Sequence, residues 1–174
     1  SQFEGAERVA EKYQITRQDT DGFGLESQVR ARTAIDNGYF DSQIIPVEAP
    51  VMDENFEKTG DMITVSRDEI PRDTSMEALA ELKPVAREDG IHTAGTSSQI
   101  ADGAAAVLMM TEKKAKELGL TPLAIIRASA LVGCDPVLML EGPIPATEKV
   151  LKDGGLTIED VDVFEINEAF ASVV

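Results

Sequence analysis

Apolar residues in the first third of the chain return every three or four positions: Ala6, Val9, Ala10 and Tyr13 fall on one face of a predicted helix. Thr16, followed three residues later by Asp19, matches a capping box, in which hydroxyl and carboxylate satisfy the free N–H groups of an opening helix. That second helix carries Phe23, Val29, Ala34 and Ile35 and is stopped by Asn37-Gly38. Gly22 and Gly24 lie inside it, where each costs about 1 kcal/mol relative to Ala. Ile44-Ile45-Pro46-Val47 predicts a short edge-like strand, since Pro donates no ladder hydrogen bond. Residues 50–75 are charged and weakly periodic, which predicts a loop-rich excursion. Glu77 to Leu82 offers one or two helical turns before Pro84, and Gly90 to Ser98 is a Gly/Thr/Ser loop suited to close backbone approach to a ligand.

From Asp102 onward the pattern changes to alternating strand and helix. Ala104 to Met110 is a continuous apolar run, as expected of a strand covered on both faces, and Thr111 can cap a helix from Glu112 to Leu118. Leu123 to Val132 predicts a second buried strand, Thr147 to Lys152 a helix closed by Gly154-Gly155, Thr157 the start of a further short helix, and Val161 to Ile166 a third strand. Such alternation predicts right-handed crossovers in a layered α/β sheet.

Composition narrows the partners. The chain has 174 residues, 43% of them hydrophobic, enough to bury a sizeable core. With 16 basic and 32 acidic side chains the formal charge is −16, which argues against nucleic acid, because phosphate neutralisation supplies most of that binding. A bound polyanion must rely on a few local positive groups. One Cys excludes an intramolecular disulfide framework and fits a reducing, cytoplasmic setting. No apolar run approaches the ~20 residues of a membrane span, and no secretory signal is visible in these residues. No metal ligand set is assigned.

Candidate chemistry concentrates where the third strand ends. Asn167 sits at the N-cap position of an expected helix with Glu168 in its first turn, and a polar Asn there can orient a water or an oxyanion, or simply cap the helix. Arg72, isolated among acids, offers a planar fork of donors; its ordinary role is pairing with Asp68, Glu69 or Asp73. Ser98 can bind a ligand amide or form a turn, while Ala94, Met139 and Phe170 are apolar residues that can equally be core. Cys134 and His92 have no context that makes them a nucleophile and its base.

Read together, these segments resemble the thiolase family, in the family's order and across essentially the whole chain. Asn167-Glu168-Ala169-Phe170-Ala171 matches its NEAF motif, Gly142-Pro143-Ile144-Pro145-Ala146 its G-P-x-P-A loop, and Thr93-Ala94-Gly95-Thr96-Ser97-Ser98, with Asp102-Gly103-Ala104-Ala105-Ala106, its TAGN-x-S-x-x-x-DGAAA segment. Shorter stretches agree at Ala6 to Ala10, Thr16 to Asp19 with Asp21, Ser27-Gln28 and Asp68 to Ser75. The nucleophilic Cys, the Gly-His-Pro loop and the second Cys of thiolases are not among these residues, so the chain is expected to be the middle portion of a longer thiolase, inactive by itself.

The resemblance implies a thiolase-like layered α/β fold, in part, with an inserted α+β loop domain. Residues 1–99 are expected to be most of the coenzyme A-binding loop domain, 102–122 the end of the first half and 123–174 the start of the second. It implies an acyl-CoA C-acyltransferase that cleaves 3-oxoacyl-CoA with CoA, or condenses two acyl-CoAs, in fatty-acid or steroid side-chain β-oxidation. Coenzyme A is then a substrate, no cofactor is held permanently, and the intact protein is a homodimer or homotetramer. Asn167 is implied to be catalytic, holding a water in an oxyanion hole; Arg72 to contact the CoA phosphates or adenine; Ser98 and Ala94 to lie by the pantetheine arm; Met139 and Phe170 to lie near its acyl end. Three departures stand out: Ala78 replaces an assisting Ser, Thr96 the usual Asn, and Met139-Leu140-Glu141-Gly142-Pro143 the usual Met-Gly-x-Gly-Pro. Two other classes stay open: a thiolase-like lyase or acyl-CoA-binding protein without the Cys nucleophile, and a non-catalytic interaction domain.

Overall fold

A computed structural model describes residues 1–174. Helix α1 spans Gln2–Tyr13 and α2 Arg17–Asp36. A hairpin of β1 (Val47–Met52) and β2 (Lys58–Val65) follows, then α3 (Met76–Ala80), α4 (Glu112–Glu117) and α5 (Pro143–Gly154). Two 3₁₀ turns, Ile158–Asp160 and Ala171–Val173, complete the order.

The expected start signal of α2 is present. Thr16 N–H donates to Asp19 Oδ2 at 2.8 Å and Asp19 N–H to Thr16 Oγ1 at 3.2 Å, a reciprocal capping box. The face that α2 buries differs from its apolar pattern: Thr20, Asp21 and Gly24 are buried, whereas Val29 is exposed. Gly24 explains the shift. A Cβ there would stand 2.5 Å from the Gly95 carbonyl oxygen, so a glycine lets α2 lie directly on the 90–98 loop; Gly22 has no neighbour within 4 Å. Arg17 then fastens α2 to α3, donating to Asp21 Oδ2 at 2.8 Å and to the terminal carbonyls of Leu79 and Leu82 at 2.7 and 3.0 Å.

Two expectations are corrected by the structure. The 50–75 stretch, read as loop-rich, holds most of the antiparallel hairpin, with Val47 opposite Val65 and a bulge between Pro50 and Met52. Asp53 Oδ1 accepts from the N–H groups of Asn55 and Glu57 and closes its turn, so the charged residues that obscured the strands are the turn itself. Ile44 and Ile45 precede β1 rather than forming it.

The second correction concerns the three apolar runs read as buried strands. None forms a strand, and residues 101–110, 121–133 and 162–168 donate no backbone hydrogen bond. They face solvent: Val107 is 79% exposed, Leu131 95% and Val163 82%. A strand exists only against a neighbour that supplies its ladder, and the one sheet here is the two-stranded hairpin. The core instead lies where α1, α2, α3, the 90–98 loop and the segment 170–172 meet, around Ala6, Val9, Ala10, Leu79, His92 and Phe170.

Candidate functional site

The loop at 90–98 is built on a buried carboxylate. Glu7, on the inner face of α1 and 1% exposed, accepts from Ile91 N–H at 3.1 and 3.0 Å with its two oxygens and from His92 N–H at 3.0 Å. A Cβ at residue 90 would lie 2.5 Å from Glu7 Oε1, so Gly90 is what allows the approach. Thr93 and Thr96 then tie the following turn: Thr93 N–H donates to Thr96 Oγ1 at 2.9 Å and Thr96 N–H to the Thr93 carbonyl at 3.1 Å. Glu7 was missed in the sequence, although its place four residues after Phe3 and three before Ala10 puts a charge on the apolar stripe of α1.

This loop pairs with the Asn167–Ser172 corner. Ser97 and Phe170 form an antiparallel bridge, Ser98 N–H donates to the Ala169 carbonyl at 2.9 Å, and Ala171 N–H donates to the Thr96 carbonyl at 2.9 Å. Two of the segments singled out from the sequence are thereby joined backbone to backbone. The Ser98 hydroxyl stays exposed and makes no hydrogen bond, and Ala94 is also exposed. Phe170 is 3% exposed and sealed by Phe3, edge-on with ring centroids 5.2 Å apart, and by His92 at 5.5 Å, so it supports the corner from the core side. Ser27 on α2 donates to Glu168 Oε2 at 2.7 Å, a link with no signal in the sequence.

Asn167 does not cap a helix, contrary to that expectation. The residues after it pair with 96–98 instead, and the short 3₁₀ turn that follows is capped by Phe170. The Asn167 side chain is exposed and makes no hydrogen bond, while its carbonyl accepts from Ala169 N–H at 2.9 Å. Arg72 also departs from its ordinary role. It pairs with no carboxylate; Asp73 is taken by Arg32 at 3.1 Å. Gln28 Oε1 accepts from Arg72 N–H at 2.8 Å and Gln99 Oε1 lies 3.5 Å from its Nη2, so the guanidinium stands exposed beside the end of the 90–99 loop.

Met139 lies on a separate loop, Cys134–Gly142, that packs along α1. Its backbone has φ +37°, its N–H donates to the Asp135 carbonyl at 2.7 Å, and its side chain approaches α1 at Gly5. Glu141 pins this loop, accepting on one oxygen from Lys12 Nζ at 2.5 Å and Tyr13 Oη at 2.9 Å. The Lys12 bond holds the Glu141 carboxyl below its ordinary range and the Glu141 bond holds Lys12 above its own. Cys134 is exposed and donates to the Met139 carbonyl at 3.2 Å; it does not meet His92, which is buried against Ser172. Two clefts, about 450 Å³ beside Arg17 and Glu77 and about 360 Å³ beside Glu11 and Arg87, contain none of the candidate residues. No three His, Cys, Asp or Glu side chains converge as a metal site, and no helix is long and apolar enough to cross a membrane.

Comparison with known proteins places these segments. Residues 4–113 match the model of the thiolase N-terminal domain and residues 120–174 that of the C-terminal domain. The chain is 48% identical over 168 residues to the acetyl-CoA acetyltransferase of Chromobacterium violaceum, covering 96% of this chain and 41% of that protein. It is likewise 48% identical to the peroxisomal 3-ketoacyl-CoA thiolase B of Rattus norvegicus, of which it covers 39%. Among solved structures, the Bacillus anthracis acetyl-CoA acetyltransferase superposes with a TM-score of 0.91 at 44% identity, and human mitochondrial 3-ketoacyl-CoA thiolase with 0.89 at 40%; each alignment covers 98% of this chain and 42% of the other. The fold is therefore a part of the α/β fold of those proteins, and the chain spans about two fifths of their length.

Proposed function

The chain belongs to the thiolase family, and from that premise we propose that the intact protein is a coenzyme A-dependent acyltransferase that cleaves 3-oxoacyl-CoA with CoA or runs the reverse condensation. The observation that carries the reading is the pairing of Ser97 and Ser98 with Ala169 and Phe170, because it sets the loop proposed to bind pantetheine directly against the corner that bears Asn167.

In this reading a cysteine thiolate outside residues 1–174 takes the acyl group and a second cysteine moves the proton. This chain supplies binding and stabilisation. The free Arg72 fork meets CoA phosphate or adenine, with Ala78 giving it no hydroxyl to share the load. The unengaged Ser98 hydroxyl and exposed Ala94 border the pantetheine arm, and Met139 the acyl end, with Phe170 holding the corner from beneath. Asn167, its carboxamide unbonded, holds a water whose hydrogen stabilises the developing thioester oxyanion. Residues 1–99 form the CoA-binding loop domain and 102–122 and 123–174 parts of the two halves. We propose a homo-oligomer, with coenzyme A as substrate and no permanently bound cofactor. We propose a cytoplasmic location, which the single Cys fits as a reducing compartment, although the similar rat protein is named peroxisomal.

The full-length protein is expected to cleave acetoacetyl-CoA, and Asn167→Ala to lower kcat by roughly 10²–10³ with little loss of thermal stability. Normal turnover in that variant would end the catalytic assignment of Asn167.

A further inference from the structure

His92 is 0% exposed, yet it is an imidazole in the centre of an apolar cluster rather than a residue that merely fills it. Its hydrogen-bond partners favour one placement of its proton. Ser172 Oγ has one proton, which it donates to the Ala6 carbonyl at 3.3 Å, so towards His92 it is an acceptor. The 2.8 Å contact between Ser172 Oγ and His92 Nε2 is then an Nε2–H donation. In that arrangement Nδ1 carries no proton, and it is buried with no hydrogen-bond partner.

We propose that His92 is a positioning residue for the Asn167–Phe170 corner, its Nε2–H bond to Ser172 and its ring against Phe170 fixing where that corner sits over the 90–98 loop. The proposal rests on the acyltransferase reading above. The backbone bonds of Ser98 and Ala171 tie the corner to the 90–98 loop and Ser27 ties it to α2; Ser172, beyond Phe170, adds a side-chain tie to the buried face of that loop through His92. The corner is thus held on both flanks, and Asn167 inherits that placement.

The tie is sensitive to protons in one direction. Burial holds the imidazole below its ordinary range, against the Glu7 carboxylate and the Ala6 carbonyl of α1, which both pull the other way; Ser172 and Phe170 bring no charge from their side. As pH falls through the lowered value, the ring gains a charge that burial opposes more than Glu7 and the Ala6 carbonyl favour it, so the corner loosens.

The experiment uses the full-length protein with acetoacetyl-CoA and CoA, reading kcat, KM for CoA and the melting midpoint across pH. Ser172→Ala and His92→Val are expected to lower kcat about tenfold with KM for CoA changed less than about twofold, the pattern of a misplaced catalytic group. His92→Gln, which keeps an N–H towards Ser172 but cannot titrate, is expected to recover at least about a third of wild-type kcat at pH 8 and to lose the part of the acid limb below about pH 6.5. Unaltered kcat in both Ser172→Ala and His92→Val, or an acid limb that His92→Gln leaves intact, overturns the inference, as does a loss confined to the melting midpoint. A wild-type protein that cleaves no acetoacetyl-CoA overturns instead the acyltransferase reading on which the inference stands.

Discussion

Arg72 is a guanidinium with no carboxylate partner in a chain that carries twice as many acidic as basic side chains, 32 against 16. Desolvating an unpaired Arg against a ligand phosphate sacrifices no ion pair, so most of the new interaction appears as affinity. Arg72→Ala is expected to raise KM for CoA by the equivalent of about 1–3 kcal/mol while kcat stays near the wild-type value, as for loss of a charged hydrogen bond made equally in ground and transition states. Steady-state kinetics with varied CoA decide it, and an unchanged KM would return Arg72 to the solvated surface. The Glu141 clamp is a second residue-scale device. Its carboxyl is held low by Lys12, so its contribution is present above the unfolded carboxylate value and is lost as pH falls through the lower folded one. Acidification below about pH 4.3 is therefore expected to release the Cys134–Gly142 loop from α1, seen as protease cleavage near Val137 that Glu141→Gln shows already at neutral pH.

At the scale of elements, Gly22 and Gly24 make a matched pair. Both lie inside α2 and each carries the same propensity cost, yet only Gly24 touches another backbone. Gly22→Ala is expected to stabilise the protein by up to about 1 kcal/mol, whereas Gly24→Ala should destabilise it, because its methyl would have to displace the Gly95 carbonyl. Melting midpoints of the two variants check the contrast; equal shifts would mean that α2 does not rest on the 90–98 loop. The same pair shows what the sequence can disclose. The α2 start at Thr16 and Asp19 is local chemistry and was legible, as were Thr111 and Gly155 at the ends of α4 and α5. Which helical glycine meets a backbone is decided by a residue far along the chain and was not. The hairpin was hidden because its strands alternate weakly around a charged turn, and its residues are mostly exposed. The candidate residues were named through motif order, while the helix expected to open at Asn167 came from a local pattern that pairing with 96–98 overrides.

For the whole molecule, the decisive fact is that apolar content and burial do not coincide. The runs at 104–110, 123–132 and 161–166 carry the residues expected of strand cores, yet they pair in no ladder and stand mostly exposed. Exposed apolar stretches with free N–H and C=O groups template pairing with other chains, and even a net charge of −16 opposes this only through screened repulsion. A polypeptide of residues 1–174 alone is expected to bind the dye ANS, to self-associate more as salt is raised, and to show no thiolysis of acetoacetyl-CoA. Light scattering and a coupled assay test this; a dye-silent monomer would show that these runs find cover within the chain, and turnover abolished by Cys134→Ala would move the nucleophile into it.

The tie between Ser172 and α1 has a consequence for synthesis. Ser172 and Ala6 are 166 positions apart in sequence, and Ser172 and His92 are 80 apart. At translation rates of 5–20 residues per second, α1 leaves the ribosome roughly 10–30 s before the hydroxyl that completes its buried face. Through that interval Phe3, Ala6 and Val9, and in its later half the His92 ring, have no Phe170 or Ser172 to close over them, which makes the nascent helix a natural substrate for a chaperone. Slowing translation between the emergence of α1 and that of Ser172 should therefore lengthen the window for misfolding and lower soluble yield.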